Sequence, residues 1–155
     1  MRLLDGRRQF ATMLDYEFGP GTSGALPKDG LEFVYSKRSD RMKQVVYDGK
    51  LFATIRPNGA IAPTVYGAST LARSKAYLQN SVVVEEAAVE FVREGRSVFC
   101  KFVKSVGKHV LPQGEVAVLD PQGNVIAVGS AKLHGSFITQ FKAGVAVKVR
   151  GAAGS

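Results

Sequence analysis

Apolar residues near the start of the chain recur at helical spacing. Leu3, Leu4, Phe10, Ala11, Leu14 and Phe18 suit one face of a 3.6-residue repeat, which predicts an amphipathic helix over residues 2–18. Gly19-Pro20-Gly21 breaks that pattern, and the turn-forming residues of 19–30 predict a loop. The period then drops to two. Leu31, Phe33 and Tyr35 alternate with Glu32, Val34 and Ser36, as in a half-buried strand. Lys37-Arg38-Ser39-Asp40-Arg41 turns the chain and Met42 to Tyr47 returns it. Asp48-Gly49 marks a tight hairpin, because such turns need positive φ. Leu51, Ala53 and Ile55 alternate with Phe52, Thr54 and Arg56 to complete an antiparallel meander that Arg56-Pro57-Asn58-Gly59 closes. Leu71, Ala72 and Leu78 predict a second helix over 68–78.

Near Asn80 the pattern restarts, and we place a domain boundary there. Val82 to Val84 reads as a short strand, and residues 85–94 as a helix with Glu85 and Glu86 at its positive end and Gly95 as its cap. Residues 97–104 read as one strand buried on both faces, which makes Cys100 a small core residue. Strands are predicted at 115–119 and 125–133, joined by the turn residues of 120–124, with a short helix near 137–142. In the last strand Val145, Val147 and Val149 face inward while Ala146, Lys148 and Arg150 face out. The expected fold class is α+β: a helix on an antiparallel sheet in residues 1–79, then a small mixed pseudo-barrel with short helices in 80–151. Gly151 to Ser155 are expected to form a frayed small-residue tail, with 152–155 outside the second domain.

Composition narrows the possible partners. With 45% hydrophobic and 22% charged residues the chain has an ordinary globular balance. No apolar run approaches the ~18–20 residues that a membrane span needs, so no membrane partner is expected. The start of the chain lacks the pattern of a secretory signal, and the single Cys100 allows no internal disulfide, so a reducing, cytoplasmic setting is expected. The net charge is +8, which favours polyanionic partners. The surplus is local. From Gly95 to Gly151 the cations Arg96, Lys101, Lys104, Lys108, Lys132, Lys142, Lys148 and Arg150 face only Glu115 and Asp120.

Catalysis finds little support. One cysteine and two distant histidines, His109 and His134, cannot make a standard zinc site, so no metal or other cofactor is expected. The glycines of 19–24 follow a helix rather than a strand and so lack the setting of a phosphate-binding motif. Asp29, Asp40 and Asp48 all sit in turn-like settings. Tyr35, Tyr47 and Tyr66 would stack on bases if exposed, but such residues more often fill a core. Stand-alone enzymatic activity is not expected.

The second half resembles the PUA family, named for pseudouridine synthases and archaeosine transglycosylases. The resemblance is carried by Val82-Val83-Val84-Glu85-Glu86-Ala87-Ala88, Phe91-Val92-Arg93-Glu94-Gly95 and Ser97-Val98-Phe99-Cys100-Lys101-Phe102-Val103, in that order. Gly114-Glu115-Val116, Ile126 to Ala131 and Gly144 to Val149 continue it. The first half is similar to the module preceding the PUA domain in archaeal tRNA-guanine transglycosylases, a cystatin-like helix on an antiparallel sheet. That likeness rests on Phe18-Gly19-Pro20-Gly21, Leu31 to Arg38, Asp48-Gly49-Lys50-Leu51, Thr54-Ile55-Arg56 and Gly67-Ala68. A catalytic barrel of roughly 250 residues is not expected in a chain of 155 residues.

The resemblance implies that the chain binds structured, tRNA-like RNA through Arg93, Gly95, Arg96, Ser97, Lys101, Lys148 and Arg150. Physical reasons stand beside it for three of these. Gly95 would let a sugar-phosphate backbone approach closely, and Arg93 and Arg96 suit bidentate phosphate contacts, although a glycine cap flanked by solvated arginines is the plainer alternative. Lys37, Arg38, Arg41 and Lys43 form a second basic cluster, which would either enter an RNA groove or guard a sheet edge. The expected role is non-catalytic, linked to RNA modification or translation, with an RNA-modifying enzyme or a ribosome-associated factor as a further partner. The competing reading is an accessory subunit that docks onto an RNA-modifying enzyme, which an exposed apolar patch would favour.

Overall fold

The computed structural model of the chain describes residues 5–154. The chain divides into two compact units, Met1–Tyr77 and Leu78–Ser155.

The first unit is built around helix α1 (Gly6–Phe18), which buries Phe10, Leu14 and Phe18 at successive turns of one face. Asp5 caps its start by accepting from the Arg7 N–H, and Gly19, at φ +121°, ends it. Leu3 and Leu4, assigned to this helix from their spacing, lie outside the described residues. The loop that follows contains one 3-10 turn, Thr22–Ala25. Four antiparallel strands follow in sequence order: β1 (Leu31–Tyr35), β2 (Met42–Tyr47), β3 (Lys50–Ile55) and β4 (Ile61–Pro63). Phe10 meets Phe33 and Phe52 edge to face, each at 6.2 Å between ring centres. The Glu17 carboxylate accepts from the Ile61 N–H at 2.7 Å, which fixes the end of α1 to β4.

Two expectations for this unit are corrected. Strict alternation in β3 assigned Leu51, Ala53 and Ile55 to the core, yet Phe52 is fully buried and Leu51 is exposed. A bulge is the cause: Val45 pairs with Ala53 and Val46 with Leu51, so Phe52 is the extra residue and turns inward beside Ala53. The second helix is in fact two, α2 (Val65–Leu71) and α3 (Lys75–Leu78), because the backbone at Arg73 and Ser74 closes turns onto Thr70 and Leu71. Thr64 caps α2 by accepting from the Gly67 N–H at 3.0 Å. A Cβ at Gly67 would lie 2.1 Å from the Phe52 carbonyl oxygen, so only glycine lets α2 sit this close to β3.

The second unit is a six-stranded mixed sheet in the order β6-β10-β9-β8-β5-β7, curled into a pseudo-barrel. Its strands are β5 (Ser81–Val84), β6 (Val98–Phe99), β7 (Val103–Val106), β8 (Glu115–Leu119), β9 (Val125–Ala131) and β10 (Val145–Ala152). Every pairing is antiparallel except that of β5 with β8. The core is rich in valine, with Ile126, Ile138 and Cys100 among its members. Each such side chain taken from water stabilises the fold by roughly 1.5–3 kcal/mol. The expected helix over 85–94 is a 3-10 turn, Glu86–Ala88, followed by α4 (Val89–Arg93). The short helix after β9 is α5 (Gly135–Ile138), a little earlier than its pattern predicts.

The single strand expected over 97–104 does not exist. Cys100–Phe102 forms a 3-10 turn between β6 and β7, which pair with β10 and β5 respectively, at opposite edges of the sheet order. Cys100 is buried, but Phe99 and Lys101 face solvent, so the segment is not buried on both faces. Nor is the tail loose over 152–154. Ala152 still pairs in β10, the Ala153 N–H donates to Ile126 and the Gly154 N–H to Arg93, both through carbonyl oxygens.

Candidate functional site

Helix α4 ends in a motif that determines the geometry after it. The Gly95 N–H donates to the Val92 carbonyl at 2.9 Å and the Arg96 N–H to the Phe91 carbonyl at 3.1 Å, the paired bonds of a Schellman cap. Gly95 sits at φ +97°, and a Cβ there would meet nothing within 4 Å, so its outer face is open. The cap turns the chain so that Arg96 comes back over the helix. Its guanidinium carbon stands 5.4 Å from the centre of the Phe91 ring.

Below this turn lies a cleft of about 190 Å³. Phe91, Phe99 and Phe102 supply its aromatic walls, Ala88, Val92 and Val98 its floor, and Arg96 and Ser97 its rim. Phe91 is 48% exposed and Phe99 45%, so both rings present apolar surface to solvent at the cleft. Lys101 extends the cationic side, with its Nζ 5.1 Å from the centre of the Phe102 ring. Glu90 on α4 and Glu94 at its C-cap, four residues apart and both exposed, place negative charge along this side of the helix. Open aromatic faces next to a guanidinium and an ammonium suit a planar ligand that also carries negative charge.

The residues expected to act together are divided by the structure. Arg96 and Ser97 line the cleft, Gly95 precedes them in the cap, Lys101 lies over the Phe102 ring, and Lys148 is exposed on β10, the strand that pairs with β6. Arg93 is half-buried, and its charge acts on Asp120. Burial alone would raise the Asp120 carboxyl, but hydrogen bonds from Asn124 and Gln122, together with Arg93, outweigh it and hold the group below the usual carboxylate range. Arg150 forms an ion pair with the buried Glu115 carboxylate. In the first unit Lys37, Arg38 and Lys43 are exposed at and beside the β1–β2 turn, while Arg41 donates to the Pro57 carbonyl oxygen.

Phe91 and Phe99 were not singled out from the sequence. The apolar residues of 97–104 assign Phe99 to a strand buried on both faces, and Phe91 occupies an ordinary helical position. Other candidates take structural roles. The ring of Tyr66 stacks on Tyr47 at 6.4 Å and has Lys50 Nζ 5.1 Å from its centre. His134 caps α5, its Nδ1 accepting from the Ser136 N–H at 3.1 Å. Among the described residues no group of three His, Cys, Asp or Glu side chains is placed to hold a metal ion, and no helix is long and apolar enough to cross a membrane.

Residues 80–152 match the PUA domain, and residues 8–77 match the patch-forming domain C2 of tRNA-guanine transglycosylase. The chain carries a match to each of these two domains, the C2 domain first. Its cleft therefore lies within the PUA domain, and its four-stranded sheet within the C2 domain. Among curated relatives, the tRNA-guanine(15) transglycosylase of Methanocaldococcus jannaschii is 34% identical over 141 residues, which are 90% of this chain and 22% of that enzyme. The chain spans a quarter or less of the length of such relatives. Two solved structures share the fold across both domains. A hypothetical protein from Pyrococcus horikoshii has a TM-score of 0.74 at 21% identity, covering 96% of this chain and 90% of that one. A conserved PUA domain protein from Thermoplasma acidophilum has a TM-score of 0.69 at 21% identity, covering 96% and 89%.

Proposed function

We propose that the chain is a non-catalytic RNA-binding protein that engages structured, tRNA-like RNA through the PUA cleft, in the service of RNA modification in the cytoplasm. The observation that carries this reading is the juxtaposition of open Phe91 and Phe99 rings with Arg96 at the Gly95 cap. An unstacked base lies on the rings while its phosphates meet Arg96 and Lys101, the division of labour expected where single-stranded ends of RNA are recognised. Similarity to part of the tRNA-guanine(15) transglycosylases supports tRNA as the ligand class.

The test is a filter-binding titration of the full chain with tRNA at several salt concentrations. Affinity is expected to fall linearly on logarithmic axes as salt rises. Arg96→Ala is expected to weaken binding and lower that slope by about 0.7–0.9, one phosphate contact. No binding at low salt, or an Arg96→Ala variant that binds like the parent, contradicts the reading.

A second reading is favoured by one observation. Phe137 and Phe141 are stacked at 5.6 Å and both are exposed, an apolar pair with no role in the cleft. They suit an accessory subunit that docks onto an RNA-modifying enzyme. Stable association with a purified tRNA-guanine transglycosylase, lost on replacing both rings by serine, would select this reading over the first.

A further inference from the structure

Three large apolar side chains of the second unit stand about half exposed on two adjoining segments: Leu111 in the loop joining β7 to β8, and Phe137 and Phe141 in and just after α5. The two segments are bound to each other. The Gly135 N–H donates to the Val110 carbonyl at 2.9 Å and the Gln113 N–H to the Ala131 carbonyl at 2.8 Å. A Cβ at Gly135 would stand 3.3 Å from the Val110 Cβ, so α5 starts directly on this loop. The Phe141 N–H donates to the Phe137 carbonyl at 2.9 Å, which sets the two rings one helical turn apart on a shared face. None of these three side chains lines the PUA cleft.

The charge along these segments has one sign. Lys108 in the loop, and Lys132 and Lys142 to either side of α5, are exposed, and residues 104–114 and 128–144 contain no Asp or Glu. Glu115, where β8 begins, is buried and bound to Arg150. An apolar centre with a charged rim is the layout of a protein-docking surface. Two observations decide what covers it. The Phe137 and Phe141 rings already stack on each other, with 5.6 Å between centres and 10° between planes, which closes their facing sides to a base, and Leu111 has no aromatic face to offer one. A second copy of the chain is disfavoured too, because a two-fold contact would set these lysines against their own images.

We propose that this face docks an acidic segment of a partner protein, whose own apolar side chains cover Leu111, Phe137 and Phe141 while its carboxylates meet Lys108, Lys132 and Lys142. The proposal rests on the docking reading of Phe137 and Phe141 above and adds the chemistry of the partner. It concerns the second unit alone and does not depend on RNA at the PUA cleft. Charge at the rim speeds encounter and sets orientation, and burial of the apolar centre supplies most of the affinity.

The test selects peptides from a random phage-displayed library on the full chain and measures their affinity for the parent, for Phe137→Ser/Phe141→Ser and for Lys132→Glu/Lys142→Glu. All four side chains are exposed, so thermal midpoints of the variants are expected to match the parent. Selected peptides are expected to combine Asp or Glu with Leu, Phe or Trp. Their affinity is expected to fall roughly tenfold or more in the ring variant, and by a similar factor in the charge-reversed one. It should also weaken as salt rises. Loss of binding in the ring variant with no change in the lysine variant, or peptides without acidic residues, overturns the acidic partner and leaves docking at the rings standing. No selected peptide, or peptides held equally by the ring variant, overturns docking at this face altogether. Oligouridine that binds the parent and not the ring variant would assign the face to RNA and overturn the proposal as well.

Discussion

At the scale of single residues, ion pairing separates cations that hold the fold together from those available to a ligand. Arg96 lies over an aromatic ring at the cleft, Arg150 is bound to Glu115, and Arg93 is drawn toward Asp120. Asp120 anchors the turn between β8 and β9: its Oδ1 accepts from the N–H groups of Gln122 and Asn124 at 3.0 and 2.8 Å, and its Oδ2 from the Asn124 side chain at 3.2 Å. Asp120→Ala is expected to cost about 1–3 kcal/mol at pH 7 by removing these acceptors. The sign of its pH dependence follows from the lowered carboxyl. A group whose folded-state pKa lies below its unfolded value, about 3.9 for Asp, contributes stability that is complete above that value and lost as pH falls through the folded one. Denaturant unfolding at pH 7 and pH 3 should therefore show a larger gap between parent and variant at pH 7. A gap that is equal at both, or wider at pH 3, would remove Asp120 from this role.

At the scale of elements, close approach between α2 and β3 makes a sharp prediction. Gly67→Ala places a methyl group 2.1 Å from the Phe52 carbonyl, so helix and strand must separate. A loss of about 1–3 kcal/mol is expected, the usual penalty of forcing extra volume into a packed interface, where the same change at an open helical site would stabilise. Thermal unfolding measures it, and a raised midpoint would contradict the packing. Helix α1, the β1–β2–β3 meander and the positions of β8, β9 and β10 were legible because period and turn chemistry agree there. Ala146, expected to face out, is instead fully buried where the register of β10 shifts against β6. What escaped was set by how the strands pair in the folded sheets. Phe52 turns inward because a bulge against β2 shifts its register, which no count of alternating residues along β3 can reveal. Likewise 98–103 is apolar except for Lys101 and reads as one strand, but its ends pair with β10 and β5, and a 3-10 turn lies between them. The glycine cap and Arg96 could be named from sequence. The openness of Phe91 and Phe99 could not, since exposure belongs to the folded domain.

At the scale of the molecule, the second domain presents a concave surface with cations and glycine at its border. In the PUA domain the acids of 95–154 are both engaged, Glu115 with Arg150 and Asp120 in its turn, which leaves the cleft cations without competition from that part of the chain. The charge of +8 is thus apportioned, with some of it stabilising the barrel and some facing outward. The central claim is that RNA bases lie on the rings next to the Gly95 cap. Ultraviolet cross-linking of the full chain to tRNA, followed by identification of the modified residues, tests it most directly. Cross-links are expected at Phe91 or Phe99 and should disappear when both are replaced by leucine. Cross-links confined to Phe137 and Phe141, or none in residues 88–102, would contradict it.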